Sequence, residues 1–265
     1  IEDYTQAIEL EASDSAYLSR ANAYYWLDEY DKALSDYDQV LELNPENSGA
    51  YVGRGNIYEV RNDSAAAIAE YTQALELDPD DATAYGNRGN SHRNLGEYEA
   101  AIADYTQAIE LDPSDLDVYQ DRGNAYVDQG EYASALADFD AALALDAENI
   151  DLLLDRAYAY VQQGDYEQAF ADYDAALAID AENADIYLGR GDAYAAQGET
   201  EQAFADYAKA IELAPDSPVP YRVRASAYFD REDHANAVAD YTAALEIDPE
   251  NATTLNNRCY AYVKL

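Results

Sequence analysis

The sequence predicts an all-α protein built from repeated pairs of helices. Three observations support this prediction. The sequence repeats with a period of 34 residues between Asp14 and Asn251, each period holds two runs of apolar residues at helical spacing, and a short turn separates the two runs. The turns include Gly96-Glu97-Tyr98 and Gly130-Glu131-Tyr132, and glycine interrupts regular structure. A period of this length is typical of stacked helical repeats.

The first helix of each repeat carries a large residue and, four positions later, a small one. The large residues are Tyr17, Tyr51, Tyr85, Tyr119, Leu153, Tyr187, Tyr221 and Leu255. The small residues are Ala21, Gly55, Gly89, Gly123, Ala157, Gly191, Ala225 and Cys259. Small side chains let two helices approach closely, so this column should pack in the core. We therefore expect Cys259 to be a packing residue, and a single cysteine cannot form an internal disulfide.

The second helix of each repeat has its own small and large columns. The small column is always alanine, at Ala33, Ala67, Ala101, Ala135, Ala169, Ala203 and Ala237. The large column is aromatic, at Tyr37, Tyr71, Tyr105, Phe139, Tyr173, Tyr207 and Tyr241. We expect the helix to end just before the residues Pro45, Pro79, Pro113, Ala147, Ala181, Pro215 and Pro249, because proline disfavours helix for the residue before it.

This order of aromatic, small, alanine and proline columns resembles the tetratricopeptide repeat (TPR) family over the whole chain. The resemblance implies an all-α, right-handed superhelical solenoid of antiparallel helix pairs, with the first helix of each pair lining a concave groove. We interpret residues 1–265 as one such domain. Its seven full repeats span residues 14–47, 48–81, 82–115, 116–149, 150–183, 184–217 and 218–251, and half repeats span 1–13 (a second helix) and 252–265 (a first helix).

The charge composition excludes several classes of partner. The chain has 55 acidic and 15 basic residues, a net charge of -40, whereas nucleic acids and anionic membranes bind clustered lysine and arginine. No run approaches the roughly 20 apolar residues of a membrane span. The carboxylates indicate a solvated acidic face or, alternatively, adaptation to high salt or to weak surface calcium binding. We expect no other cofactor.

The sequence lacks the residue patterns of an enzyme. His92 and His234 fall in different repeats, and no second metal ligand at suitable spacing accompanies either. No glycine-rich phosphate loop, nucleophile elbow or Cys/His pair is present. A cytoplasmic and an extracellular location both remain open; Asn62 and Asn251 begin N-glycosylation motifs that would matter only outside the cell.

A column of arginines favours structural ion pairs. It consists of Arg20, Arg54, Arg88, Arg122, Arg156, Arg190, Arg224 and Arg258. An acidic column precedes the second-helix aromatic, at Asp36, Glu70, Asp104, Asp138, Asp172, Asp206 and Asp240. The planar guanidinium suits carboxylates, so we expect ion pairs between the helices of each pair. The alternative is a row of anchors for acidic ligands.

The first hypothesis for function is a non-catalytic scaffold whose groove holds a peptide or protein partner. The groove candidates are Asn22, Asn56, Asn90, Asn124, Tyr25 and Trp26. Asparagine offers both a donor and an acceptor to the backbone of an extended peptide, similar to the asparagine rows of some TPR proteins. The adjacent rings of Tyr25 and Trp26 offer an aromatic anchor.

The second hypothesis is a structural subunit that assembles with itself. The half repeats at the two ends would meet head to tail, with Tyr4, Ala7 and Ile8 of one copy against Leu255, Cys259 and Tyr262 of the next. A head-to-tail contact that does not close generates a filament. Because two bodies of charge -40 repel each other, such assembly should require salt or calcium.

Overall fold

A computed structural model describes residues 1–265, which form sixteen α-helices and no strand. The chain divides into two compact units, residues 1–145 and 146–265. The first unit contains α1 (Glu2–Leu10), α2 (Asp14–Tyr25), α3 (Tyr30–Leu43), α4 (Ser48–Val60), α5 (Ser64–Leu77), α6 (Ala82–Asn94), α7 (Tyr98–Leu111), α8 (Leu116–Gln129) and α9 (Tyr132–Leu145). The second contains α10 (Ile150–Gln163), α11 (Tyr166–Ile179), α12 (Ala184–Gln197), α13 (Thr200–Leu213), α14 (Pro218–Asp230), α15 (His234–Ile247) and α16 (Ala252–Lys264).

Within each unit every helix packs on the next helix in the chain. The first helices of neighbouring pairs also contact one another; for example, α2 contacts α4, and α12 contacts α14. Because the connections are short, consecutive helices run antiparallel. The predicted all-α fold of stacked helix pairs is therefore confirmed, while the interpretation of residues 1–265 as one domain stays a prediction.

Local sequence signals account for the helix ends. Many helices begin after a side chain that caps a backbone N–H group, as Asn47 Oδ1 accepts from the amide of Ala50 at 3.1 Å. Four first helices are followed within two residues by a glycine with positive φ, at Gly96, Gly130, Gly164 and Gly198. Second helices end two residues before the proline or alanine column, at Leu43, Leu77, Leu111, Leu145, Ile179, Leu213 and Ile247.

The core lies between the two helices of each pair. All seven second-helix alanines are at most 1% exposed, and the second-helix aromatics are at most 4% exposed. The aromatic ring packs on the small column of the first helix. A Cβ atom built at Gly89 would lie 2.7 Å from Cε1 of Tyr105, which is much closer than van der Waals contact. The small column is therefore a packing requirement, as predicted.

One member of the small column does not pack in this way. Cys259 is exposed, so the expectation that it fills the core is wrong. In the other repeats the small residue packs on the aromatic of the second helix of its pair, whereas residues 1–265 include no second helix that pairs with α16. Leu255 of the large column is 41% exposed on the same helix.

Two glycines of α6 should respond in opposite ways to alanine. Gly89→Ala should lower the free energy of unfolding by about 1–2 kcal/mol, because the strain against the Tyr105 ring exceeds the gain in helix propensity. Gly86→Ala should raise it by about 0.5–1 kcal/mol, because its Cβ would meet only Cγ2 of Val118, at an ordinary 3.7 Å. Urea denaturation followed by circular dichroism measures both changes. Equal effects of the two substitutions would contradict the packing argument.

Candidate functional site

The arginine column forms a ladder of ion pairs inside the helix pairs. Arg88 donates from Nε to Oδ2 of Asp104 at 2.8 Å and from Nη2 to Oδ1 at 2.7 Å. The same two-bond pairing joins Arg20 to Asp36, Arg122 to Asp138, Arg156 to Asp172, Arg190 to Asp206 and Arg224 to Asp240. The aspartates are only 5–7% exposed. The predicted ion pairs are confirmed. Because these guanidinium groups are already paired with aspartates inside the helix pairs, they do not form a row of anchors for acidic ligands.

Tyrosine rings cover the guanidinium groups of this ladder. The Cζ atom of Arg88 lies 5.5 Å from the ring centroid of Tyr85, and that of Arg190 lies 5.5 Å from the centroid of Tyr187. These distances are typical of cation–π contacts. The hydrogen bonds from Arg88 to Asp104 raise the pKa of the guanidinium above its ordinary value. The arginine is thus fixed in its charged form.

The second repeat departs from this pairing because it has a glutamate in place of aspartate. Arg54 reaches Glu70 through a single bond, Nη2 to Oε1 at 2.7 Å, and reaches Asp38 through Nη1 at 3.1 Å. Nε of Arg54 and Oε2 of Glu70 are buried without a hydrogen-bond partner. Burial raises the pKa of Glu70, and the charge and hydrogen bond of Arg54 oppose that shift.

Glu70→Asp should therefore stabilise the protein by about 1 kcal/mol, because the shorter side chain allows the two-bond pairing of the other repeats. Chemical denaturation of the variant and the parent measures the difference. The reverse substitution, Asp104→Glu, is the matched control and should be destabilising. If the free energy of unfolding of Glu70→Asp is unchanged or lower, the missing hydrogen bonds of Arg54 Nε and Glu70 Oε2 do not reduce the stability of the parent.

The first-helix asparagines are held by the second-helix tyrosines. The hydroxyl group of Tyr37 donates to Oδ1 of Asn22 at 2.6 Å, and the same bond joins Tyr71 to Asn56 at 2.7 Å and Tyr105 to Asn90 at 2.6 Å. The sequence predicts that these asparagines present both a donor and an acceptor to a ligand. Instead the tyrosine uses the acceptor oxygen, and the NH₂ group is the end that the tyrosine leaves available.

Asn22, Asn56, Tyr25 and Trp26 line one cleft of about 360 Å³ in the first unit. The walls come from α2, α3, α4 and the start of α6, so first helices of successive pairs form most of the lining. A neighbouring cavity of about 160 Å³ shares Tyr25 and Asn56 and also borders Asn90. We call this surface, defined by Asn22, Tyr25, Trp26, Asn56 and Asn90, the first-helix groove. Asn124 lies at the corresponding position of α8 and lines neither cavity.

Trp26 is the most exposed aromatic residue of the groove. Its side chain is 81% exposed, whereas Tyr25 is half-buried. The two rings meet edge to face, with centroids 5.6 Å apart. An exposed indole beside a cleft can gain a large apolar contact on binding.

Side-chain hydrogen bonds join the neighbouring first helices α4, α6 and α8. Glu59 accepts hydrogen bonds from Oγ of Ser91 at 2.5 Å and from Nδ2 of Asn94 at 3.1 Å. Arg93 donates from Nε to Oδ2 of Asp128 at 2.8 Å. Burial raises the pKa of Asp121, although a hydrogen bond with Asn90 opposes the shift. Sequence analysis missed these residues because they differ from repeat to repeat and form no column.

The residues predicted for self-association lie on α1 and α16. Tyr4 is 40% exposed, Ala7 is exposed and Ile8 is half-buried. Leu255, Cys259 and Tyr262 are all exposed, with Tyr262 at 57%. Their exposure leaves these side chains accessible, but their pairing between copies, and its dependence on salt or calcium, stays a prediction.

The two histidines lie against neighbours in their own repeats. Nδ1 of His92 lies 2.6 Å from Oε2 of Glu97, and the ring of His234 lies 5.0 Å from that of Phe229. No group of three or more His, Cys, Asp and Glu side chains has an arrangement that could hold a metal ion. None of the sixteen helices combines the length and apolar character that crossing a membrane requires.

The repeats match two descriptions of a known family. The description "TPR repeat" matches residues 61–96, 89–130, 123–164, 157–198 and 225–265, and "Tetratricopeptide repeat" matches residues 15–47 and 184–217. The chain belongs to the tetratricopeptide repeat family. This confirms the resemblance seen in the sequence. No curated protein has a significant match to this TPR chain.

Several solved structures share the fold. A tetratricopeptide repeat protein from Parabacteroides merdae is 20% identical, with a TM-score of 0.78 over 94% of this chain and 98% of that one. YrrB, described as a TPR protein with an unusual peptide-binding site, is 26% identical, with a TM-score of 0.60 over 67% of this chain and 92% of its own. MamA is 23% identical, with a TM-score of 0.58 over 64% of this chain and 93% of its own.

Proposed function

We propose that this TPR chain is a non-catalytic scaffold that binds an extended peptide of a partner protein in the first-helix groove. The exposure of Trp26 carries the proposal. An indole that is 81% exposed beside a cleft costs solvation free energy that a bound partner would recover. Tryptophan is also among the residues that contribute most to binding when they are covered.

The asparagines supply the polar part of the groove. Because the tyrosine hydroxyls hold Oδ1 of Asn22, Asn56 and Asn90, each side chain is fixed before a ligand arrives. A fixed donor loses less conformational entropy on binding than a mobile one. An extended peptide presents backbone carbonyl groups that can accept from the amide groups of Asn22 and Asn56, whereas the side chain of Asn90 is already hydrogen-bonded to Asp121.

The comparison with YrrB agrees with this proposal. YrrB has a peptide-binding site in a TPR fold and is 26% identical to this chain. The choice of binding residues depends on the geometry of this chain. The aromatic pair Tyr25 and Trp26 follows the asparagine column only in the first full repeat. The aromatic pair therefore makes one end of the groove different from the rest.

Selection of random peptides by phage display on the full chain supplies ligands for a test. Trp26→Ala should weaken the selected peptides by about 2 kcal/mol or more, roughly thirtyfold in dissociation constant. Leu77→Ala is the matched control, because Leu77 is 40% exposed on a second helix of the same unit. Isothermal titration calorimetry measures both variants. A failure to select any peptide, or equal affinity of both variants, would contradict the proposal.

A further inference from the structure

The second unit contains an open cleft of about 460 Å³. It lies between α12, α13 and α14, and its lining includes Asp192, Ala195, Phe204, Val223 and Asp230. The two carboxylate side chains are exposed. The walls combine acidic groups with an aromatic ring and aliphatic side chains.

The repeat register shows which side chain this cleft lacks. Ala195 lies three repeats after Arg93, and Asp230 lies three repeats after Asp128. In the first unit Nε of Arg93 donates to Oδ2 of Asp128 at 2.8 Å. In the second unit the aspartate is retained and alanine stands in place of the arginine. Of the two equivalent positions, 93 has an arginine side chain, and 195 has an alanine that borders an open cleft.

The cleft lining also contains a second carboxylate and an aromatic ring, the two kinds of group that contact guanidinium in this chain. Oδ1 of Asp192 accepts from the hydroxyl of Tyr207 at 2.6 Å, which orients the carboxylate. Partial desolvation by the surrounding protein raises the pKa of Asp192, and the hydrogen bond from Tyr207 opposes that shift. Phe204 packs against Tyr228 with centroids 4.5 Å apart, so its ring is fixed. Guanidinium groups pair with carboxylates and lie over aromatic rings, as the arginine ladder of this chain does.

The cationic side chain in the cleft lining already has a hydrogen-bond partner. Arg231 lines the cleft, and its Nη1 donates to Oγ1 of Thr200 at 2.8 Å. It makes no ion pair within 4 Å of Asp192 or Asp230, so it does not compete with a ligand for either carboxylate. The cleft lining therefore contains two carboxylates and one cationic side chain, and that cation is bonded to a hydroxyl group. The whole protein has a net charge of -40. The charge balance favours a cationic ligand.

We propose that this cleft binds the arginine side chain of a partner peptide, with Asp230 as the ion-pair acceptor, Asp192 as the second carboxylate and Phe204 as the aromatic wall. The site takes the position that Arg93 fills in the first unit. It is separate from the first-helix groove and does not rest on the function proposed for that groove.

Titration of the full chain with the peptide acetyl-Gly-Arg-Gly-amide, followed by amide chemical shifts in ¹H–¹⁵N spectra, tests the proposal. We expect saturable shifts at Asp192, Phe204 and Asp230. The same peptide with citrulline, which is neutral and nearly isosteric, should bind at least about tenfold more weakly, because it loses the charged hydrogen bonds. The lysine peptide should also be weaker, because an ammonium group lacks the planar fork.

Three variants of the full chain complete the test. Ala195→Arg should fill the cleft as Arg93 does and abolish the shifts, and Asp230→Asn should weaken binding at least about tenfold. Asp216→Asn removes an equal charge from an exposed turn of the same unit and should leave affinity unchanged. Absence of saturable shifts, equal binding of the citrulline or lysine peptide, or an Ala195→Arg variant that binds like the parent would overturn the proposal.

Discussion

Replacing Asp104 by alanine should lower the free energy of unfolding by about 3–5 kcal/mol. The substitution leaves Arg88 with its charge and without the acceptor for two short hydrogen bonds. The side chain of Arg88 is only 19% exposed and that of Asp104 only 9%, so water cannot fully replace the lost carboxylate. The cost is mainly the burial of an unpaired charge.

Hydrogen exchange of the α6 and α7 amides, together with urea denaturation, measures this loss. Exchange reports on local opening, which matters because a repeat protein need not unfold as one unit. Glu99→Ala, an exposed position on α7, is the control and should change stability by less than about 0.5 kcal/mol. A loss below about 1 kcal/mol for Asp104→Ala would mean that the ladder contributes little.

Tyr105→Ala should be equally damaging, with an expected loss of about 3–5 kcal/mol. The ring is 0% exposed and fills the space beside Gly89. Tyr105→Phe should cost only about 1 kcal/mol, since Phe139 occupies the same position in the next repeat without a hydroxyl group. Thermal and chemical denaturation distinguish the two. Similar losses for both would show that the hydrogen bond to Asn90 matters more than the ring.

The Tyr105→Phe variant also connects the core to the groove. Without the hydroxyl donor, Oδ1 of Asn90 loses its bond from Tyr105 and the side chain can rotate. We expect the fold to persist while the position of the amide group becomes less defined. The packing column and the first-helix groove are therefore linked through one hydrogen bond.

The repeated features of this fold could be predicted because each contributes the same interaction many times. The alanine column, the aromatic column and the Arg–Asp pairs follow the 34-residue period, so a pattern reveals them without coordinates. The prediction for Cys259 failed because its column is covered by the second helix of the same pair, and residues 1–265 include no such helix to cover Cys259. Periodicity predicts burial for a column only where the helix that covers that column is present.

The candidate sites depend on residues that break the period. Arg93 pairs with Asp128, 35 residues away, and Ser91 with Glu59, 32 residues away. Such pairs join neighbouring first helices at positions where each repeat has a different residue, so the sequence alone gives no signal of the pairing. The asparagine row was visible, but its bond to tyrosine was not, because tyrosine at that position was already explained by packing.

Fluorescence of Trp26 tests the central claim most directly, because it is the only tryptophan in the chain. A tryptophan-free peptide selected on the full chain should shift the emission to shorter wavelength and reduce quenching by acrylamide. Both changes should saturate with the affinity measured by calorimetry, because the peptide covers an indole that is 81% exposed in the free protein. If selected peptides bind while emission and quenching stay unchanged, the partner surface lies elsewhere and the first-helix groove is not the binding site.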